Sequence, residues 1–397
     1  MEKKTIILGI TGGIAAYKSA QLASDLIKKG HDVHVMMTKN ATEFMAPLTF
    51  ETLTNNRVSV GVFDRNFQYD VNHVEIAKRA DLLVIAPATA NAIAKFANGL
   101  ADDMLSTTFL ACKAPKLIAP AMNTAMLENP VTDRNIKTLK ELGVHFIDAA
   151  SGVLACGDIG KGKLADVDDI LEMIDDLLVQ EKSLAGKTVV VTAGPTMEPL
   201  DPVRFITNHS SGKMGYELTR AARSLGAHVH LISGPTNLKP PLDVDFIQVD
   251  TAMSMFEAAT KLENDYDIFI GAAAVSDFRP KDVFLNKLKK STHDLSSLKM
   301  QENPDVVASI AKTSRANQVV CAFAMETENL TSNARTKLVD KGVDMIVAND
   351  LSEQGVGFGS DTNKVTIMTR DEEFELDLMS KQSVAYKIVE KLGDMVK

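Results

Sequence analysis

Short apolar runs rich in β-branched residues alternate with longer amphipathic segments along the first half of the chain. The runs lack the polar alternation of a half-exposed strand, which is typical of strands buried on both faces of a parallel sheet. Helix-length segments separate most of these runs, as expected when helices cover both faces of the sheet. The strands predicted on this basis are residues 5–11, 33–37, 82–88 and 116–122.

The same alternation starts again near residue 187, which predicts a second α/β unit. Residues 170–187 are predicted to form an amphipathic helix that closes the first unit, followed by a short polar link. We therefore predict two domains, residues 1–183 and 184–397. The second contains predicted strands at residues 188–195, 229–235, 268–275, 319–326 and 345–350, then a hairpin of 364–370 and 373–379 and a final helix from Ser380 onward.

The composition indicates which kinds of molecule this protein binds. The chain of 397 residues has a formal net charge of -9, whereas binding to nucleic acid or to an anionic membrane favours an excess of Lys and Arg. Its three cysteines form no CxxC pair, so neither a disulfide framework nor a zinc site is indicated. No apolar segment reaches the roughly 20 residues of a membrane span. We expect a cytoplasmic protein whose partners are small molecules.

A glycine-rich turn follows the first predicted strand. Gly12 and Gly13 precede a predicted helix, and free amide groups at a helix N terminus attract phosphate. The spacing matches neither GxGxxG nor GxxxxGK[ST], so a mononucleotide site and a merely tight turn both stay open. Thr38, Thr89 and Asn91 follow the next two strands, at the sheet edge where open α/β folds bind ligands.

Cys156 lies in a second glycine-rich segment, residues 151–167. An unreactive cysteine usually packs as a small core residue, but this segment offers little to bury. The position is therefore a candidate for chemistry, although composition alone does not separate a reactive loop from a surface turn.

Ordered motifs carry a family resemblance. "NHVEIAKRADLLVIAPATANAIAKFANGLADDMLS", "APAMNTAM" and "ACGDIGKGK" make the first half similar to flavin-containing decarboxylases that act on peptidyl or phosphopantothenoyl cysteine. The second half, with "TNHSSGKMG", "AAAVSDFRP" and "KLKK", resembles phosphopantothenate-cysteine ligase. Each motif alone is weak, but the ordered set resembles the bifunctional coenzyme A biosynthesis family over essentially the whole chain.

For the first half, the resemblance implies a doubly wound, flavodoxin-like fold that binds FMN and decarboxylates 4'-phosphopantothenoylcysteine to 4'-phosphopantetheine. Flavin chemistry is needed because a plain amino-acid carboxylate has no sink for the departing electron pair. The resemblance assigns proton handling to His73, carboxylate binding to Asn123 and proton donation to Cys156. Without it, His73 would be a surface or helix-cap histidine and Asn123 a turn residue.

The resemblance also implies cofactor contacts and an assembly. FMN contacts are expected from Gly12, Gly13, Thr38, Thr89 and Asn91, while Ala101, Asp102 and Asp103 would line a neighbouring subunit's site. We expect a homo-oligomer built on trimers of the first domain, extending to a dodecamer with ligase dimers. Lys163 departs from the family's arginine and lacks its planar fork.

For the second half, the resemblance implies a doubly wound, Rossmann-like fold. It also implies CTP-dependent ligation of cysteine to 4'-phosphopantothenate through an acyl-cytidylate. Lys287 would form the acyl-cytidylate, Asn208 would hold it, and Arg204 is a candidate for the substrate's phosphate. Without the resemblance, Lys287 would belong to a solvated basic loop. Mg²⁺ is the expected cation, with Asp277 as a candidate ligand. The CTP contacts implied are Gly271, Ala272, Ala273, Asp277, Lys287, Pro304, Asp305, Val306, Val307, Phe323, Lys337 and Lys341.

Two further features bear on this half. Lys337 and Lys341 are four residues apart, so one helical face could present both to phosphates. Met197 stands where the family often has arginine, and any polar role of that arginine is absent here.

Two other functions fit the sequence less well. A nicotinamide-dependent oxidoreductase predicts the GxGxxG fingerprint, which both opening loops lack. A flavin-binding regulatory protein would leave the second half unexplained.

Overall fold

The computed structural model describes residues 3–62, 72–154, 157–289, 298–326, 330–350, 357 and 359–396. The chain divides into two compact units, Met1–Gln180 and Glu181–Lys397. No helix in the described part of the chain is long and apolar enough to cross a membrane.

The first unit is built on a five-stranded parallel sheet of order β2-β1-β3-β4-β5, the flavodoxin-like order. A separate antiparallel ribbon pairs β6 with β7. The strands are β1 Thr5–Ile10, β2 Asp32–Met37, β3 Leu82–Ala88, β4 Lys116–Pro120, β5 His145–Phe146, β6 Ala150–Val153 and β7 Ile159–Lys163. The helices are α1 Ala16–Lys28, α2 Pro47–Thr54, α3 Asn72–Arg79, α4 Ala90–Ala97, α5 Met104–Ala111, α6 Thr124–Leu127, α7 Pro130–Glu141 and α8 Val167–Leu178, with a 3-10 turn at Lys39–Glu43.

The second unit is built on an eight-stranded sheet of order β12-β11-β8-β13-β16-β17-β18-β19. The first six strands are parallel, and β18 and β19 form an antiparallel hairpin at one edge. Two small ribbons pair β9 with β10 and β14 with β15. The strands are β8 Thr188–Ala193, β9 Met197–Pro199, β10 Phe205–Thr207, β11 His228–Ser233, β12 Asp245–Gln248, β13 Ile268–Gly271, β14 Phe278–Pro280, β15 Met300–Glu302, β16 Val319–Glu326, β17 Met345–Asp350, β18 Thr362–Thr369 and β19 Glu373–Ser380. The helices are α9 Lys213–Ser224, α10 Ala252–Lys261, α11 Val306–Thr313, α12 Leu330–Lys341 and α13 Lys381–Met395.

The predicted fold class is confirmed in both units. Every residue of β3 is buried, as expected of a central strand that carries helices on both faces. On one face of the sheet, Phe96 of α4 and Phe109 of α5 stack with ring centroids 4.1 Å apart. Burial of such side chains, at about 1.5–3 kcal/mol each, holds the helices to the sheet.

Some predicted bounds are corrected. The predicted strand 268–275 ends at Gly271, because the chain then leaves the sheet to line a cavity. The predicted helix within 170–187 is α8, which begins at Val167 and ends at Leu178. The glycine-rich segment around Cys156 contains the β6–β7 ribbon, which the apolar pattern did not indicate.

Candidate active sites

A cavity of about 430 Å³ lies at the carboxyl ends of β1, β2 and β3 in the first unit. Four of the residues expected to contact FMN line it, and the fold brings them together from three strand ends: Gly12, Thr38, Thr89 and Asn91. Asp103, which was expected at a neighbouring subunit's site, also lines this cavity. Gly13 is adjacent, because a Cβ atom added there would lie 3.8 Å from the Thr89 methyl group. This edge is where strand order reverses between β1 and β3, the usual ligand position in such sheets.

Threonines shape the rim of this cavity. The Oγ1 atoms of Thr38 and Thr89 accept hydrogen bonds from the backbone N–H groups of Ala41 and Ala92, so each caps the helical turn that follows. Buried Thr11 donates its hydroxyl to the carbonyl oxygen of Pro87 and accepts from the N–H of Thr89. These bonds fix the turns after β1 and β3 relative to each other.

Gly12 allows a close approach of two of these turns. A Cβ atom added there would lie 2.5 Å from the Cβ of Asn40, which belongs to the turn after β2. A larger residue would push the turns after β1 and β2 apart. The sequence left two interpretations of this turn open, a tight turn and a ligand site. Gly12 is compatible with both at once.

The carboxylates after α4 are held by a lysine. Lys95 Nζ lies 2.6 Å from Asp102 Oδ1 and 3.1 Å from Asp103 Oδ2. Asp103 also caps α5 in a reciprocal pair with Ser106. Burial raises the pKa of Asp103, but hydrogen bonds from Ser106 and Lys95 more than offset this and hold the pKa below its ordinary value. Asp102 and Ala101 are exposed and do not line this cavity.

Of the three residues assigned to decarboxylation, only Asn123 has a side chain among the described residues. Asn123 lies three residues after the end of β4 and caps α6, because its Oδ1 accepts a hydrogen bond from the N–H of Ala125 at 2.9 Å. His73 lies in α3, but its side chain is outside the described residues, and so is Cys156. The other two cysteines, Cys112 and Cys321, are buried.

The β6–β7 ribbon packs directly against the segment that carries Asn123. The N–H of Met122 donates to the carbonyl oxygen of Gly162 at 3.0 Å. A Cβ atom at Gly162 would clash with the carbonyl oxygen of Met122, and one at Gly160 would clash with Thr124 Oγ1. These glycines therefore allow close packing of the ribbon against the segment that carries Asn123.

The donor set around the first cavity fits FMN. Hydroxyl groups, the Asn91 amide and the ammonium group of Lys95 surround a space in the size range of cofactor pockets, about 300–1,000 Å³. The Gly12–Gly13 turn leaves backbone open to a phosphate group.

A larger cavity, about 650 Å³, lies around the carboxyl ends of β13, β16 and β17 in the second unit. Most residues expected to contact CTP line it, together with Asn208, from loops that are far apart in sequence: Gly271, Ala272, Ala273, Asp277, Pro304, Asp305, Val306, Val307, Phe323 and Lys341. Lys337, Lys287 and Arg204 do not line it.

Helix α9 begins at this cavity. Gly212 precedes it with φ +78°, a left-handed conformation that favours glycine. A Cβ atom at Gly215 would lie 2.5 Å from the Cβ of Ala193, so this glycine lets α9 pack closely on β8. Asn208, just before the helix, donates Nδ2 to the carbonyl oxygen of Ala274 at 2.9 Å.

Asp305 and Lys341 form an ion pair beside the cavity. Lys341 Nζ lies 2.7 Å from Asp305 Oδ2, and Asp305 Oδ1 caps α11 through the N–H of Ala308. Burial raises the pKa of Asp305, but the Ala308 N–H and the Lys341 ammonium lower it below its ordinary value. Lys337 is exposed, so the shared helical face brings only Lys341 to the cavity.

The Arg204 guanidinium forms hydrogen bonds within the second unit. Its Nε and Nη2 donate to Asp201 Oδ2, and Nη2 also donates to the carbonyl oxygen of Leu288. The Leu288 N–H donates to the same Asp201 carboxylate at 3.1 Å. The Arg204–Asp201 pair therefore anchors the segment next to exposed Lys287, and a substrate role for Arg204 stays a prediction.

Sequence reasoning missed several polar residues that line the second cavity. Asn303 donates to the carbonyl oxygen of Ser276, and buried Ser276 Oγ has no hydrogen-bond partner among the described residues. Lys213 and Lys381 also line the cavity. The feature that sets these two lysines apart is their position. Each is the first residue of a helix, where the helix dipole disfavours a cation.

Asp277 fits a magnesium site of the substrate-dependent kind. Asp277 lines the cavity and, among the described residues, belongs to no group of three His, Cys, Asp or Glu side chains able to hold a metal ion. Mg²⁺ often takes only one or two carboxylates plus substrate phosphates. The one three-residue group with metal-ligating atoms in the described chain is His228, His230 and Asp245, on β11 and β12.

Comparisons with known proteins cover both units. Residues 1–179 match the family model described as Flavoprotein, and residues 184–395 match that of the DNA/pantothenate metabolism flavoprotein C-terminal domain. The chain is 44% identical over 394 residues to the coenzyme A biosynthesis bifunctional protein CoaBC of Vibrio parahaemolyticus, covering 99% of this chain and 98% of that protein. The protein of the same name from Bacillus subtilis is 44% identical over 401 residues, covering 100% of this chain and 98% of that protein.

One solved structure is also similar to part of this chain. The crystal structure of the C-terminal domain of a coenzyme A biosynthesis bifunctional protein CoaBC is 39% identical, with a TM-score of 0.47. The match covers 54% of this chain and 98% of that chain.

Proposed function

This chain belongs to the family of bifunctional coenzyme A biosynthesis proteins, and on this premise we propose that it catalyses two consecutive steps of coenzyme A biosynthesis. Cysteine is first ligated to 4'-phosphopantothenate, and 4'-phosphopantothenoylcysteine is then decarboxylated to 4'-phosphopantetheine. The observation that carries the proposal is the 44% identity over 99% of the chain, which includes both units. The two separate cavities at strand ends support it, because each reaction needs its own site.

We assign decarboxylation to residues 1–183, with FMN held by Gly12, Gly13, Thr38, Thr89 and Asn91. When bound, FMN supplies reversible two-electron oxidation of the cysteinyl thiol, which provides a sink for the electron pair left by carbon dioxide. The match to the flavoprotein family model and the donor set of the first cavity support this assignment.

Three side chains would act on the substrate in the first unit. Asn123 would donate its amide N–H to the substrate carboxylate, and His73 would handle protons close to the reacting end. Cys156 would protonate the enethiolate that remains after decarboxylation. The ribbon strands that flank Cys156 in sequence pack on the segment carrying Asn123, and this contact supports a role for both residues in one reaction.

We assign ligation to residues 184–397, with CTP as co-substrate. The carboxylate of 4'-phosphopantothenate attacks the α-phosphate, pyrophosphate leaves, and the cysteine amine then displaces CMP from the acyl-cytidylate. Lys287 would neutralise charge during the first step and Asn208 would hold the acyl-cytidylate. Mg²⁺ bound through Asp277 would hold the triphosphate. The ten cavity-lining residues implied for CTP support this part.

The proposal includes an assembly. A homo-oligomer built on trimers of the first domain would bring Ala101, Asp102 and Asp103 of one subunit to its neighbour's FMN site. Pairing of ligase domains would extend the trimers to a dodecamer. The exposure of Ala101 and Asp102 supports this arrangement, since both are accessible to another subunit. A cytoplasmic location is part of the same proposal.

One experiment tests both activities. The purified protein, with bound flavin verified by its visible absorption spectrum, is incubated with 4'-phosphopantothenate, cysteine, CTP and Mg²⁺. We expect 4'-phosphopantetheine, carbon dioxide, CMP and pyrophosphate as products. Omission of CTP should stop ligation but leave decarboxylation of added 4'-phosphopantothenoylcysteine. Failure of both half-reactions in the flavin-loaded protein would contradict the proposal.

A further inference from the structure

Three metal-ligating side chains meet on one face of the sheet in the second unit. His228 and His230 lie two residues apart on β11, so their side chains point to the same face of the strand. Asp245, on β12, is the register partner of His230 in the parallel ladder, and partner residues in a ladder share a face. The fold therefore brings two imidazoles and a carboxylate together from two neighbouring strands.

The Asp245 carboxylate faces a ring nitrogen of each histidine. Its Oδ2 lies 3.2 Å from His228 Nε2 and 3.3 Å from His230 Nδ1. The two imidazole rings are nearly perpendicular, with centroids 4.8 Å apart and an interplanar angle of 87°. One ligand atom from each of the three residues lies within 4.8 Å of the other two. The three side chains thus converge, with one oxygen shared between both rings.

These separations suit a tetrahedral zinc ion. Zn²⁺ binds imidazole nitrogen at about 2.0–2.1 Å and carboxylate oxygen at about 2.0–2.2 Å, so two such ligands at tetrahedral angles lie about 3.3–3.5 Å apart. Both nitrogen–oxygen distances from Asp245 are close to this value. A hydrogen bond from N–H to oxygen is usually shorter, most often about 2.9–3.0 Å. The group therefore needs little rearrangement to hold the metal.

The surroundings favour a cation with one open coordination position. The side chain of His230 is 16% exposed, whereas those of His228 and Asp245 are 59% and 56% exposed, so solvent reaches the group from one side. The carboxylate of Asp265, between α10 and β13, also acts electrostatically on His230. Two carboxylates beside neutral imidazoles leave a negative local charge, which attracts a cation. Water can complete the coordination, as in zinc sites with three protein ligands.

The group lies apart from the proposed ligase site. His228 and Asp245 are the first residues of β11 and β12, so they lie at the amino ends of two parallel strands. The second cavity lies around the carboxyl ends of other strands, and none of the three residues lines it. Strand β12 has four residues and forms one edge of the sheet. A metal ion bound across β11 and β12 would fasten this edge.

We propose that His228, His230 and Asp245 form a zinc-binding site that joins the edge strand β12 to β11. Its ligand is Zn²⁺, a divalent ion that imidazole nitrogen and carboxylate oxygen both bind. Mg²⁺ is not expected here, because it prefers oxygen ligands in octahedral geometry. The bound Zn²⁺ stabilises the second unit and enters neither of the two reactions.

Zinc binding to the full-length, flavin-loaded protein tests the site. The protein is dialysed to equilibrium against Zn²⁺ with excess Mg²⁺ present, and the bound zinc is measured by atomic absorption. His228→Asn and Asp245→Asn each remove one ligand at an exposed position. His145→Asn is the matched control, because His145 is an exposed strand histidine of the first unit.

We expect the wild type and His145→Asn to bind one more equivalent of zinc than His228→Asn and Asp245→Asn do. Loss of an outer-shell partner lowers metal affinity about 10–100-fold, and loss of a direct ligand should lower it at least as much. Equal zinc binding by the wild type, His228→Asn and Asp245→Asn would overturn the proposal and leave the three residues as ion pairs only. Displacement of this zinc by excess Mg²⁺ would overturn it as well.

Thermal unfolding gives a second measurement that does not depend on activity. At a free Zn²⁺ concentration about a hundredfold above its Kd, the ratio of folded to unfolded second unit should rise about 100-fold in the wild type. Without zinc, both variants should unfold close to the wild type, since the changed side chains are exposed. A zinc-dependent rise of equal size in both variants would show that the metal binds elsewhere and would reject the site.

Discussion

The backbone N–H of Met122 donates to the carbonyl oxygen of Gly162 at 3.0 Å, which joins the β6–β7 ribbon to the residue before Asn123. The ribbon thus has a fixed neighbour in the first unit, although the glycine content of its sequence suggests a loop. In sequence, Cys156 lies between the two strands of this ribbon.

Gly162→Ala should impair decarboxylation. A Cβ atom would clash with the carbonyl oxygen of Met122, and overpacking of this kind costs about 1–3 kcal/mol. We expect the decarboxylation rate to fall about tenfold or more, while ligation stays at the wild-type rate. Gly61→Ala is the control, because no atom of the described residues lies within 4 Å of its added Cβ. A wild-type decarboxylation rate in Gly162→Ala would show that this contact is not needed.

Cys156→Ser should separate the two halves of the decarboxylation. A hydroxyl is a much weaker acid than a thiol of pKa about 8.5, so carbon dioxide should form while protonation of the enethiolate stops. The visible absorption of bound flavin should bleach on substrate addition and stay bleached. Ser151→Ala, an exposed position on the same ribbon, should turn over normally. Full turnover by Cys156→Ser would remove this thiol from the mechanism.

Lys287→Gln should abolish ligation and preserve decarboxylation. Loss of a charge-stabilising donor commonly lowers a rate by about 10²–10³-fold, and we expect ligation to fall by that amount. CMP and pyrophosphate release report ligation, and carbon dioxide from added 4'-phosphopantothenoylcysteine reports the other activity. Lys281→Gln, an exposed lysine outside the cavity, is the control. An intact ligation rate in Lys287→Gln would reject its assigned role.

Asp201→Asn should change the acid stability of the second unit. Hydrogen bonds from Arg204 hold the pKa of Asp201 well below its ordinary value of 3.8. A depressed pKa in the folded state stabilises the fold fully above the unfolded value, and this contribution is lost as pH falls through the folded value. The wild type should therefore lose more stability below pH 3.8 than Asp201→Asn does.

Thermal unfolding of both proteins over that pH range measures the difference. Asp282→Asn, an exposed aspartate, serves as the control and should follow the wild type. Parallel curves for Asp201→Asn and the wild type would contradict this linkage.

The strands of both sheets were predictable because buried parallel strands are continuous apolar runs, and β3 is buried along its whole length. Three-residue strands such as β9 and β14 are too short to show such a pattern, and they pair only because their partner strands are brought near. The site residues were found by family motifs, since single polar residues after strands do not by themselves specify a ligand.

Lys381 could not be found in that way. Its burial depends on how α13 packs against α9, which begins 168 residues earlier in the chain. The ion pair between Arg204 and Asp201 was easier to predict from the sequence, because the two residues are only three positions apart. The spacing of opposite charges in the sequence therefore predicts this contact of Arg204, whereas the family motif pointed to the substrate.

The C-terminal hairpin has a consequence for synthesis of the protein. Ser380 ends β19 and caps α13, so the position of Lys381 depends on the last pair of strands in the sheet. Of the residues that line the second cavity, Lys381 is the last to leave the ribosome. Domains fold progressively during translation, the N-terminal one first. A nascent chain with a finished first unit therefore still lacks a complete second cavity until α13 has emerged and docked.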